Sequence, residues 1–157
     1  MQKTSWILLV LLLLLAGGAD AQKKKRKRAQ DIQKVIDTAY TYKGTPYRYG
    51  GTSKAGIDCS ALMQNSYARA GYQIPRTAKS QSKYGKKVGW GGIKQGDIVF
   101  FKFKAKREKW YHSGMITSVS NDGIYFIHAS TSQGVIVSDL NADYYKKNVK
   151  AFRRVIN

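Results

Sequence analysis

One cysteine and two histidines, Cys59, His112 and His128, are the only thiol and imidazole groups in this 157-residue chain. A thiol becomes a strong nucleophile when it loses its proton, and an imidazole is the side chain best placed to take that proton near neutral pH. With a third polar group holding the imidazole in one tautomer, such a set supplies nucleophile, base and orienter. The same residues could instead hold zinc through one thiolate and two imidazoles, with an open fourth position. Strand histidines are also commonly structural, and a single cysteine is commonly a small buried hydrophobe. Spacing alone leaves these readings open. The chain has no phosphate-binding glycine motif, no serine in a nucleophile elbow and no close acid pair suited to general acid catalysis. Asp139 and Asp143, four apart, fit a solvated face.

The element that must position the thiol is the stretch GIDCSALMQNSYARAG, from Gly56 to Gly71. Asp58 is a good N-cap, and Leu62, Met63, Ser66, Tyr67 and Ala70 recur at helical spacing before Gly71 ends the run. Cys59 is thus expected in the first turn of a helix, where unpaired N–H groups and the helix dipole favour negative charge and lower a thiol pKa. The histidines fall in two predicted strands, HSGMITSV and IYFIHAS, with Asn121-Asp122-Gly123 as the turn between them. Strands joined so tightly are neighbours, which brings the imidazoles together. GDIVFFKF, GVIVSDL and AFRRVI read as further strands, KAKREKWY as a charged connection, and Tyr144-Tyr145 as a short irregular or helical piece. Upstream, Ile32, Val35, Ile36, Ala39 and Tyr40 mark an amphipathic helix over Ala29–Lys43, stopped by Gly44. The loop PYRYGGTSKAG, with its glycines, is shaped for close backbone approach. Tyr72–Gly92 reads as loop with one short helix. Helices first and antiparallel strands after is an α+β fold, with N-terminal helices packed on an antiparallel β-sheet.

Length supports one domain with a real core, and 43% apolar content is globular. The net charge of +19 points to an anionic partner without saying which. At the N-terminus, eleven apolar residues from Trp6 to Ala16 are too few to span a bilayer, which takes about 20. They fit the apolar region of a secretory signal, with Ala19-Asp20-Ala21 as a cleavage site before Gln22. The expected organisation is a signal peptide over 1–21, a basic linker over 22–31 and a single domain over 32–157. Export to the periplasm, cell envelope or medium follows, and no cysteine after LLAGG offers a lipoprotein anchor. The basic run Lys23, Lys24, Lys25, Arg26, Lys27 and Arg28 could be a nucleic-acid arm, but behind an export signal it reads as a tether to anionic lipid or wall polymer. In an oxidising compartment a lone cysteine is an intermolecular bridge or a functional thiol.

GTPYRYGG, IDCSALMQNSYARAGYQIPRTAKSQ, QGDIVFF, HSGMI and IHAS, in this order, resemble the NlpC/P60 family of bacterial cell-wall cysteine peptidases. The resemblance runs from about Ile32 to Ile156. It implies a papain-like α+β core, with Cys59 as nucleophile, His112 as general base and His128 orienting the base. It also implies that Tyr47, Asp58 and Ser60 line the substrate cleft. The implied substrate is the peptide stem of peptidoglycan or its cross-links. No cofactor and no nucleic acid are expected, and the sequence leaves the oligomeric state open, with a monomer the expectation. Two departures stand out: Ala61 where the family usually has glycine after the DCS triplet, and Ser113 where an apolar residue usually follows the base histidine. An amidase or acyltransferase with the same thiol chemistry, and a silent module that binds anionic polymer, are the competing functions. A silent module has no need of all three of Cys59, His112 and His128.

Overall fold

The computed structural model describes residues 3–105 and 108–157, with side chains described for 20–103 and 111–157. Helix α1 spans Lys3–Tyr40, starting well before the apolar repeat. Residues 21–30 are alanine, glutamine, lysine and arginine, all strong helix formers, so the basic run expected as a tether is helical. Lys27 pairs with Asp31 one turn on, at 2.9 Å. The expected signal over 1–21 lies mostly outside the described side chains. Val35, Ile36 and Ala39 bury the apolar stripe, whereas Tyr40, expected on it, is exposed. The helix closes three residues earlier than expected, in turns in which the N–H groups of Tyr42 and Lys43 reach back three residues.

Helix α2 (Cys59–Arg69) follows the sequence pattern closely. Asp58 caps its start, and Gly71 takes the left-handed conformation (φ 87°) just past its end. Ala61, Leu62, Met63, Ser66 and Tyr67 are buried along one face. The glycine-rich loop before α2 holds a minimal hairpin, β1 (Thr52–Ser53) and β2 (Gly56–Ile57), absent from the sequence reading. A Cβ on Gly51 would collide with the Gly56 carbonyl, which is the close approach the loop composition implied.

Past α2 come α3 (Ala78–Gln81), β3 (Lys86–Val88) and a 3-10 turn at Trp90–Gly92. The strands β4 (Ile98–Ala105), β5 (Glu108–Ser120), β6 (Gly123–Ser130) and β7 (Gly134–Asp139) follow, then α4 (Asp143–Lys146) and β8 (Val149–Arg154). Within the stretch read as a charged connection, the described residues 104–105 and 108–111 are instead strand: Lys104 pairs with Lys109 and Ala105 with Glu108, while 106–107 lie outside the described residues. β3 was read as loop, since three residues with two lysines carry no period. The sheet is antiparallel, in the order β3-β8-β4-β5-β6-β7. β8 returns beside β4, where Arg154 grips the buried Asp97 carboxylate with two bonds of 2.7 Å.

Both sheet faces are buried, and the pleat sorts their residues. Ile98, Phe100, Met115, Ile127 and Ala129 face α1 and α2. Val99, Phe101, Phe103, Ile116, Phe126, Leu140 and Phe152 make a second cluster on the opposite face. Successive strand residues alternate between the two, as period-two side chains must. The fold is α+β, with helices on an antiparallel sheet.

Candidate active site

The cysteine sits where the cap places it. Asp58 has an extended backbone, and its Oδ1 accepts the Ala61 N–H at 2.7 Å, so Cys59 is the first residue of α2. The thiol is buried in the helix-face cluster and also lines a cleft of about 480 Å³ with Tyr47, Tyr49, Asp58, Ser60, Arg76 and Tyr111. Tyr47, Asp58 and Ser60 are therefore gathered around Cys59.

Asp58 and Ser60 already have partners. Arg76 clamps Asp58 through Nη1 at 3.0 Å and Nη2 at 2.7 Å, and Nη1 also reaches Ser60 Oγ at 2.8 Å. Ser60 in turn donates to Asp58 at 3.0 Å, and the Gly50 N–H donates to the other carboxylate oxygen at 3.1 Å. Five donors on one carboxylate fill its lone pairs, so its first role is to hold the cleft wall. Burial works against the Asp58 charge, but Arg76, the Ala61 N–H and Ser60 outweigh it and hold the carboxyl below its ordinary range. Gln81 fastens the first turn of α2 from behind, donating to the Ser60 carbonyl at 3.0 Å and the Pro75 carbonyl at 2.8 Å.

The acid thiol expected from the helix dipole is not what the structure holds. Burial pushes the Cys59 thiol up from its ordinary value. The N–H and hydroxyl of Ser113 and the Ser60 N–H oppose this, while the Asp58 charge adds to it. Desolvation removes more than one helix start returns, so the resting sulfur keeps its proton.

The histidines converge as the hairpin predicts. His112 Nε2 lies 2.8 Å from His128 Nδ1, with the rings edge-on. His128 Nε2 meets Ser138 Oγ at 3.0 Å and the Tyr145 hydroxyl at 3.3 Å, and those two hydroxyls are 3.4 Å apart. Phe126 stacks on His128, and Phe101 and Phe103 lie against His112. Burial, helped by His128, lowers the His112 pKa to about 3, and burial lowers His128 to about 4. Both imidazoles are neutral at pH 7.

Thiol and histidines approach β5 from its two sides. His112 pairs with Phe101 and Ser113 with Phe100, so the imidazole lies with the second cluster and Ser113 faces α2. The histidines line a separate depression of about 300 Å³ with Ser130, Gln133, Tyr144 and Tyr145. Among the described residues no hydrogen bond joins Cys59 to His112; the thiol meets β5 at the N–H of Ser113, one residue on. Also among the described residues, no group of three or more His, Cys, Asp or Glu converges as a metal site.

Arg76, Ser113, Ser138 and Tyr145 were not singled out as functional from sequence. Arg76 lies 18 residues from Asp58, in a region read as loop. Its one signal is an arginine between Pro75 and the helix-capping Thr77.

A lone thiol at a helix start, set against an antiparallel sheet that carries paired histidines, is the layout that the resemblance to the NlpC/P60 family implies. Residues 44–154 match the NlpC/P60 family, and the chain belongs to it. It is 36% identical over 125 residues to the murein DD-endopeptidase MepS/murein LD-carboxypeptidase of Escherichia coli K12, covering 79% of this chain and 63% of that protein. It is 38% identical over 130 residues to the gamma-DL-glutamyl hydrolase of Bacillus subtilis, over 78% of this chain and 29% of that one. The chain thus spans under two thirds of these relatives. Among solved structures, an NlpC/P60 family protein from Bacillus cereus superposes with a TM-score of 0.71 at 29% identity, over 80% of this chain and 40% of the other.

Proposed function

We propose that this chain is an exported cysteine endopeptidase that hydrolyses amide bonds in peptidoglycan stem peptides or cross-links. Relatives named as a murein endopeptidase and a glutamyl hydrolase support the substrate class. The observation that carries the mechanism is the hydrogen bond between His112 Nε2 and His128 Nδ1. A ring whose Nε2 carries the proton and donates to His128 Nδ1 has its basic nitrogen at Nδ1, the nitrogen nearer the main chain. The sulfur lies against that same main chain, at the Ser113 N–H. His128 then donates from Nε2 to Ser138 or Tyr145, which locks the tautomer of both rings.

In this reading His112 Nδ1 takes the thiol proton as Cys59 Sγ attacks the scissile carbonyl. Because both groups rest neutral, proton transfer accompanies attack and no ion pair stands ready. N–H groups at the start of α2 are the donors on hand for the oxyanion. The proton passes from His112 to the departing amine, and the C–N bond breaks to leave a thioester on Cys59. Water, deprotonated by His112, then hydrolyses the thioester and restores the thiol. Tyr47 and the Asp58–Ser60–Arg76 wall shape the cleft for the stem peptide. The basic run Lys23–Arg28 concentrates the enzyme on anionic envelope surface.

Digestion of purified peptidoglycan tests this. Mass spectrometry should find soluble fragments with newly freed amines and no new reducing ends, and Cys59→Ala should abolish them while the fold persists. Release of reducing ends, or full activity in Cys59→Ala, would refute the reading. Fatty-acid release with intact muropeptides would place the same thiol chemistry on an acyl ester instead.

A further inference from the structure

Ser113 occupies a position where an apolar side chain would cost nothing, yet it carries a hydroxyl. It is fully buried, faces α2 from β5 between the flanking strands, and sits opposite Phe100 in the apolar layer that contains Cys59. Among the described residues, its Oγ has no hydrogen-bond partner. A buried hydroxyl left unpaired destabilises a fold, typically by about 1–3 kcal/mol. Such a group calls for an explanation, and a catalytic role is one of the few available. The Cys59 sulfur lies in the same buried layer, and the N–H and hydroxyl of Ser113 are among the groups that favour its charged form. A neutral thiol is a weak acceptor and a thiolate a strong one.

We propose that Ser113 stabilises the Cys59 sulfur in its anionic form, so that the hydroxyl unpaired in the resting enzyme becomes paired as the nucleophile loses its proton. This deepens the reading of Cys59 as nucleophile and rests on it. The hydroxyl acts at the step where charge sits on sulfur, and it releases the sulfur once the thioester has formed. It thereby offsets part of the desolvation that keeps the thiol protonated. The other charged and titratable groups around the sulfur come from every element at the cleft. Asp58 on the cap opposes the thiolate, and Arg76 beyond α2 is drawn to it. Tyr47 and Tyr49 stand on the loop before α2, Lys79 on α3, and Tyr111 and His112 on β5. None of these is altered by removing one hydroxyl from Ser113.

The test compares wild type with Ser113→Ala by three measurements on the full chain. Iodoacetamide labelling of the single cysteine, followed by mass against pH, should shift to higher pH by about one unit. That is about a tenfold slower reaction on the rising limb, the size of one hydrogen bond to a charged group. The unfolding midpoint in urea should stay equal or rise, because an unpaired polar atom has been removed. Peptide hydrolysis should lose kcat with KM unchanged, and Ser113→Thr should keep the labelling profile of wild type. A lowered unfolding midpoint with an unshifted labelling profile would make Ser113 a packing residue and overturn the proposal. So would no change in either. Labelling reads the thiol without substrate, so an inactive wild type with a shifted Ser113→Ala profile would reject the peptidase reading and keep the contact.

Discussion

Acidifying from pH 7 to pH 5 should cost this fold about 4 kcal/mol, and the two histidines carry the cost. His112, at a folded pKa of about 3, and His128, at about 4, stay uncharged across that window. In the unfolded chain both take protons near pH 6.5. The unfolded state then binds more protons than the folded one, so stability is full above 6.5 and is lost as the pH falls toward the folded values. From the linkage relation, each imidazole accounts for about 1.9 kcal/mol between pH 7 and pH 5. Carboxylates blur this little: Asp58, held below its ordinary 3.8, gives up its share only under more acid conditions. Urea unfolding followed by circular dichroism, with reductant present, is the assay. With a slope of about 2 kcal/mol/M, the midpoint should fall by about 2 M over those two pH units. His128→Asn, which can still hydrogen-bond to His112, should halve the dependence. A change below about 1 kcal/mol in wild type would mean that the imidazoles titrate as if exposed, and the buried neutral pair would be refuted.

Arg76→Ala leaves the largely buried Asp58 carboxylate without its cation. Stability should fall by about 2 kcal/mol, discounted from the roughly 3–5 of a fully buried pair because the guanidinium is partly exposed; an unchanged urea midpoint would show the clamp to be idle. Tyr145→Phe and Ser138→Ala each leave one hydroxyl at His128 Nε2, so kcat should fall about twofold in each and well beyond the product in the double variant. Simple multiplication of the two losses would deny that they share one proton. Replacing Lys23–Arg28 with serines should weaken sedimentation with phosphatidylglycerol vesicles, by an amount that shrinks as salt rises above about 0.15 M. Cleavage of a small soluble stem peptide should be untouched, and an equal loss there would tie the run to the active site.

What the residues announced and what they withheld divide along physical lines. Helix α2 was readable because cap, stripe and terminal glycine agree within the short span from Asp58 to Gly71. The histidine pair was readable because a tight Asn-Asp-Gly turn makes neighbours of two strands. Both are local. The Arg76 clamp joins the cap of α2 to the loop after that helix, and the Ser138 and Tyr145 contacts bring β7 and α4 to His128, so both are set by tertiary packing that no period or spacing encodes. β3 and the strand residues 104–105 and 108–109 are held by pairing with partner strands, which overrode a charged composition. The thiol pKa was misjudged for a related reason. A helix start is visible in sequence and favours the anion, but the burial that opposes it belongs to the assembled core. The pleat adds the subtlest point. Alternation puts His112 and Ser113 on opposite faces of β5, so the residue on the face toward α2 is the serine. A one-residue change of register would exchange them. The candidate site therefore needs, besides its three reactive side chains, a strand register that keeps Phe100 and Met115 on one face and Phe101 and Phe126 on the other.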